Sequence, residues 1–311
     1  MTVSRSDIEQ AAQLIGHRIR RTPIIPLERG AFDVDAHITL KLEYLQYTGS
    51  FKARGAFNRI LESGATNVPI IAASGGNHGA AVAFAARPLG LHAEIFVPVF
   101  ASPIKIARLH RYGADVRVAG VVFSETLAAA ATRAQETGGL MVHAYDQLDV
   151  IAGQGTVAQE MDEQAPDLDT VLVAVGGGGL VSGVTAWYVG RKRVVGVEPM
   201  GASAMTAALR AGQPVEVAVH SVAADALGAS RAGENTFAIV KQHETKIVLV
   251  EDDAIVEAQR VLWADCRIAA EPGGAAALAP LISGRYVPAP GEHIGVIICG
   301  ANVDLQKVPQ S

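Results

Sequence analysis

Lys52 stands in the stretch Thr48 to Ala56, TGSFKARGA, after a Gly-Ser turn and an aromatic residue and at the head of a helical run. A solvated lysine gains little there, because a cation meets the positive end of the helix dipole. An amine held for reaction does gain, since a nearby positive field keeps it neutral and nucleophilic. Ser74 to Gly79, SGGNHG, separates a short apolar run from an alanine-rich one. Its backbone N–H groups and amide side chain suit a bound carboxylate, and they equally suit a tight turn capped by Asn77. Val175 to Gly183, VGGGGLVSG, runs a strand into four glycines and then a helix. Four glycines sacrifice backbone entropy, which makes sense where main-chain N–H groups must approach a phosphate closely. The run lacks the Gly-Lys-Ser/Thr ending of a Walker A loop and the GxGxxG spacing of a dinucleotide fingerprint. In Ile297 to Asp304, IICGANVD, a buried strand ends at Cys299. Taken alone such a cysteine is inert packing, but ligands bind at the C-terminal edge of a parallel sheet.

The rest of the chain must position these segments. Strand candidates at Ile70 to Ala73, Ala93 to Val97, Asp115 to Val118, Val171 to Val175, Val194 to Val197, Ile247 to Val250 and Ile294 to Cys299 are spaced by helix-length stretches. Such runs predict parallel strands covered on both faces, a doubly wound α/β architecture. Ile38, Leu40 and Leu42 alternate as in a half-buried strand, and Ser6 with Glu9 reads as a capping box opening a helix that runs on to Pro23. Polar and turn-forming residues thicken near Ala65 and Tyr145, where a chain with two lobes would cross between them. The expected division is a large lobe from residues 1–65 and 147–311 and a small lobe from 66–146.

Composition narrows the function. The formal charge of −5 and scattered Lys and Arg argue against a nucleic-acid partner, and no stretch has the length of a membrane span. Two cysteines, Cys266 and Cys299, imply no disulfide framework, and the N-terminus lacks the apolar core of a signal peptide. The expected setting is the cytoplasm and the expected partner a small molecule.

In this order the four segments, with IAGQGTV at Ile151 to Val157, closely resemble the fold type II pyridoxal-phosphate enzymes, specifically the serine/threonine dehydratase group that includes serine racemase. The resemblance runs from about Ile8 to Asp304. It implies two doubly wound parallel-sheet lobes with pyridoxal 5'-phosphate in the cleft between them. Lys52 would carry the cofactor as a Schiff base and Phe51 would pack near its ring. Gly176, Gly177, Gly178, Gly179 and Leu180 would bind its phosphate through backbone amides. Asn77 would bond the ring hydroxyl, and Cys299 would meet the pyridine nitrogen. Ser74, Gly75, Asn77 and His78 would form the substrate loop. The implied reaction is dehydration and deamination of L-threonine or L-serine to a 2-oxo acid and ammonia, in a homodimer. The alternatives are a dehydratase for another hydroxy amino acid such as 3-hydroxyaspartate, serine racemase, or a β-replacement enzyme.

Some positions depart from the pattern. Gly75 stands where serine racemases place a serine, which argues against efficient racemisation. The family's divalent-cation positions fall on Glu198, Ala202 and Ala204. With one carboxylate missing, no metal is expected. Glu271, in EPGGAAA, matches a position near the family's active site and carries no role that sequence assigns.

Overall fold

The computed structural model describes residues 2–304 and 306. Its strands are β1 (Ile24–Pro26), β2 (His37–Lys41), β3 (Ile70–Ala73), β4 (Ala93–Val97), β5 (Ala114–Val118), β6 (Leu140–Met141), β7 (Thr170–Ala174), β8 (Arg193–Pro199), β9 (Lys246–Val250) and β10 (His293–Ile297). Its first helices are α1 (Arg5–Ile15), α2 (Lys52–Glu62), α3 (Asn77–Ala86), α4 (Pro103–Arg111), α5 (Phe123–Thr137) and α6 (Leu148–Gln164). Then follow α7 (Gly179–Tyr188), α8 (Ala204–Ala211), α9 (Ala224–Leu227), α10 (Glu234–Gln242), α11 (Asp252–Cys266), α12 (Pro272–Ala275) and α13 (Ala279–Ile282).

Two sheets result, one ordered β1-β2-β10-β7-β8-β9 and the other β5-β4-β3-β6. Every pairing is parallel except β1 with β2, so the expected doubly wound α/β pattern is what the chain adopts. Alternation along β3 shows why its run is wholly apolar. Ile70 and Ala72 enter one cluster with Ile95 and Val97, while Ile71 and Ala73 enter another with Phe96. Strands β1 and β6 escape the periodicity argument because they are three and two residues long. Pro26 confines β1 to an edge.

The first helix differs from expectation at both ends. Ser4 is the N-cap: its hydroxyl accepts from Asp7 N–H at 3.3 Å while the Asp7 carboxylate accepts from Ser4 N–H at 2.7 Å. The box therefore forms at Ser4 and Asp7, not at Ser6 and Glu9, because starting two residues earlier gains half a turn with the same chemistry. The helix stops at Ile15, and Gly16 follows.

Helix α2, which begins at Lys52, is held by a buried ionic cluster. Arg54 donates to Glu43 at 2.6 and 2.9 Å and to Glu160 at 2.8 and 2.9 Å. Lys41 donates to Glu160, Gln164 and the Thr22 carbonyl, each at 2.8 Å. Two cations face two carboxylates with the side chains of Arg54, Lys41 and Glu43 fully buried. Burial works against the Arg54 charge, and Glu43 and Glu160 more than offset it. On its other side α2 packs Ala53, Ala56, Phe57 and Ile60 into the cluster under the four-stranded sheet. Removing one carboxylate would strand a buried guanidinium. Glu43→Ala is expected to lower the unfolding free energy by about 3–5 kcal/mol in a urea titration. A loss below about 1 kcal/mol would mean that water already screens the cluster.

Candidate active site

Three loops leave the C-terminal ends of parallel strands and converge with the start of α2. The 74–76 loop follows β3, the 175–178 bend follows β7, and residues 298–302 follow β10. The approach to Lys52 is stitched to the last of these. Ser50 forms an antiparallel bridge with Gly300, Phe51 N–H donates to Cys299 O at 3.1 Å, and Ala301 N–H donates to Gly49 O at 3.0 Å.

The Lys52 amine donates to the Ala144 carbonyl at 2.6 Å and lies 5.0 Å from the centre of the Phe51 ring. Burial brings it down to about 8 from its ordinary value, with Cys299 pulling slightly the other way. Ala144 precedes Tyr145, whose ring covers the bend so closely that a side-chain carbon at Gly177 would collide with it. The amine, the 143–146 segment and the glycine bend are therefore one contiguous surface.

The bend itself demands glycine at two positions. Gly176 and Gly178 have φ of +56° and +99°, and a Cβ at Gly178 would come within 2.7 Å of Thr236. Thr236 Oγ1 donates to Gly177 O at 2.8 Å and so clamps the turn from α10. Gly178 caps α7, whose first N–H groups, including those of Gly179 and Leu180, have no acceptor within the helix. A bend with open N–H groups at a helix N-terminus, beside a depressed lysine amine, fits a cofactor with a phosphate at one end and an aldehyde at the other.

The substrate loop and the 271–302 region share a hydrogen-bond network. Asn77 Nδ2 donates to Glu271 Oε1 at 2.6 Å. Asn302 Nδ2 donates to Asn77 Oδ1 at 2.7 Å and to Thr48 O at 2.8 Å. Burial pushes Glu271 up to about 7, against the pull of the Asn77 bond and the Arg108 charge. Ser74 Oγ accepts from Gly76 N–H at 3.1 Å, which leaves its own proton free to donate. His78 Nε2 lies 2.9 Å from Val142 O, an acceptor, so this nitrogen carries the hydrogen and Nδ1 is bare. Burial and the Lys52 charge lower His78 to about 3, so it stays neutral. Cys299 is also neutral: burial pushes its thiol well up, and Sγ donates to Gly273 O at 3.4 Å.

The structure thus brings together Lys52, Phe51, Ser74, Gly75, Asn77, His78, the 176–180 segment and Cys299. It adds residues that the sequence reading does not find in Tyr145, Thr236 and Asn302. Asp146 accepts from the N–H groups of Glu234 and Asn235 at 2.9 and 2.8 Å, tying the 143–146 segment to α10. Glu198 is spent elsewhere: its oxygens accept from Met205 N–H, Thr206 N–H and Thr206 Oγ1 at 2.8, 2.9 and 2.7 Å, which caps α8. No group of three potential metal ligands occurs among the described residues.

The depressed amine sets a pH dependence. Deprotonation creates the nucleophile, so capture of pyridoxal phosphate by cofactor-free protein is expected to speed up through about pH 8 and then level off. Borohydride trapping and peptide mass mapping to Lys52 would follow it. A rate that climbs unbroken toward the ordinary lysine range would show that burial does not perturb this amine.

Comparison with known proteins agrees with the geometry. The family model "Pyridoxal-phosphate dependent enzyme" matches residues 15–300. The chain is 34% identical to an L-threonine ammonia-lyase of Thermotoga maritima over 98% of its length and 77% of that protein's. It is 33% identical to a serine racemase of Oryza sativa subsp. indica, covering 96% of this chain and 90% of that one. Among solved structures, a threonine deaminase of T.th. superposes with a TM-score of 0.90 at 33% identity, over 97% of this chain and 99% of that one. A match across most of the chain, on a fold and cleft of this chemistry, establishes that the protein belongs to the pyridoxal-phosphate dependent enzymes of fold type II.

Proposed function

We propose that the enzyme removes water from L-threonine and L-serine and releases the 2-oxo acid and ammonia. The observation that carries this reading is a lysine amine, lowered to about 8 by burial, that shares one cleft with the substrate loop and the glycine bend. The cofactor would sit between a lobe of residues 1–65 and 147–311 and a lobe of residues 66–146. When bound, pyridoxal phosphate supplies an aldehyde that exchanges between amines and a ring that accepts charge from Cα.

The chain's own residues do the rest. Gly176, Gly177, Gly179 and Leu180 would hold the phosphate through main-chain N–H groups, whereas Gly178 N–H is spent on Val175 O at 3.0 Å. Asn77 spends one Nδ2 hydrogen on Glu271 and keeps the second for the ring oxygen. The free Ser74 hydroxyl and the N-terminus of α3 receive the substrate carboxylate. The Lys52 amine, lowered by burial, is the base that would take the Cα proton. Cys299, held neutral by burial, would be the group that meets the ring nitrogen, and a neutral partner there favours prompt loss of the β-hydroxyl. The Cα–H and Cβ–O bonds break, one water leaves, and hydrolysis of the released enamine returns one water to give the oxo acid and ammonium.

The threonine ammonia-lyase relatives support this class of reaction, and the serine racemase relatives keep a second reading in view. Racemisation needs a proton donor on the far face of Cα. A side chain at Gly75 would look onto Val97 and Ala101, both apolar, at 3.7 and 3.8 Å. The homodimer rests on the family resemblance.

Purified holoenzyme is expected to form an oxo acid from L-serine or L-threonine, while Lys52→Ala loses at least about a thousandfold in rate. D-serine is expected to accumulate far more slowly than pyruvate. Comparable rates would move the assignment to a racemase, and cysteine formed on adding sulfide would move it to β-replacement.

A further inference from the structure

One guanidinium beside the cleft lacks a partner of its own. Arg108 lies in α4, and its side chain makes no hydrogen bond or ion pair among the described residues. Its Nε is buried without an acceptor. Arg59 Nε is also unsatisfied, but that side chain is anchored to Asp149 at 2.7 Å. Leaving a half-buried guanidinium without an anion is costly, so its retention calls for a reason.

Helix α4 lies over the substrate loop. Ala101, just before it, is the neighbour a Cβ at Gly75 would meet at 3.8 Å, and Leu109 would meet one at Gly79 at 3.2 Å. One turn before Arg108, Lys105 reaches across to Asp225 of α9 at 2.8 Å. The Asp225 carbonyl lies 3.7 Å from where a Cβ of Gly76 would stand. Residues three apart share a helix face, so Arg108 follows Lys105 on the side that looks toward the cleft. Its positive charge is felt at Glu271, inside the site. A helix-end role does not account for it, because Arg111 already places a cation in the last turn.

We propose that Arg108 is a specificity-determining residue that pairs with a carboxylate on the substrate side chain, so that the enzyme also dehydrates 3-hydroxy dicarboxylic amino acids. This rests on the elimination reading above. Bond changes are unchanged: Cα–H and Cβ–O break, and only the Cβ substituent differs. Threonine's methyl group offers Arg108 nothing, whereas a carboxylate at that position gives the guanidinium a charge-assisted partner.

The test compares 3-hydroxyaspartate with L-threonine on wild-type holoenzyme, Arg108→Gln and Arg108→Lys. The glutamine variant is expected to lose about thirtyfold or more in kcat/KM for 3-hydroxyaspartate and to stay within about twofold for threonine. The lysine variant should recover part of the loss. Thermal protection by succinate, absent with butyrate, should also vanish in Arg108→Gln. An equal fall on both substrates would assign Arg108 to structure and overturn the proposal. Threonine turnover without any turnover of 3-hydroxyaspartate would overturn it and leave the elimination reading standing. No oxo acid from any hydroxy amino acid would sink both.

Discussion

The position of the reactive amine depends on a charge-balanced knot two residues away. Arg54 is wholly buried and could not be there without Glu43 and Glu160 to receive it. Those carboxylates in turn come from the turn just after β2 and from α6, and Lys41 comes from β2 itself, so the knot joins α2, the six-stranded sheet and the longest of the described helices. Taking these charges out of water costs several kcal/mol per ion, which only near-ideal geometry offsets. That cost makes the arrangement selective: a small shift of α2 would lose several of its bonds at once. Lys52 inherits its place from a cluster in which it takes no part.

A second set of constraints joins the loops. The strand-like pairing of residues 49–51 with 299–301 fixes Lys52 against Cys299, while Asn302 ties Thr48 to Asn77. Tyr145 and Thr236 close the glycine bend from two sides. None of these contacts is chemical in purpose, yet they decide which atoms of the cofactor and substrate can meet. Neutral groups dominate the cavity wall: His78 and Cys299 are both held uncharged by burial. The Lys52 amine at about 8 and the Glu271 carboxyl at about 7 are then the groups of the site that change protonation near neutrality.

Much of this was legible in the residue order. Buried parallel strands announce themselves as runs rich in apolar residues, and the seven candidates emerged as strands with ends displaced by at most two residues, although Glu94, Asp115 and Arg117 interrupt two of them. The glycine bend and the lysine were visible because unusual composition at a helix start needs a reason. What stayed hidden was everything decided by tertiary approach. Lys41, Glu43 and Arg54 read as ordinary surface charges until the fold buries them. Tyr145 looked like a turn residue because its partner, Gly177, lies far along the chain. Two-residue β6 is too short for any period to register. The choice between Ser4 and Ser6 turned on which of two overlapping caps adds more helix.

Glu198 carries a different lesson. Its carboxylate already accepts from three donors at the opening turn of α8, so a hard cation would have to compete with them for the same oxygens. A descendant of this chain that acquired a divalent ion there would need more than one new aspartate. It would also have to find a substitute N-cap for α8, or let that helix fray, before the ion could compete.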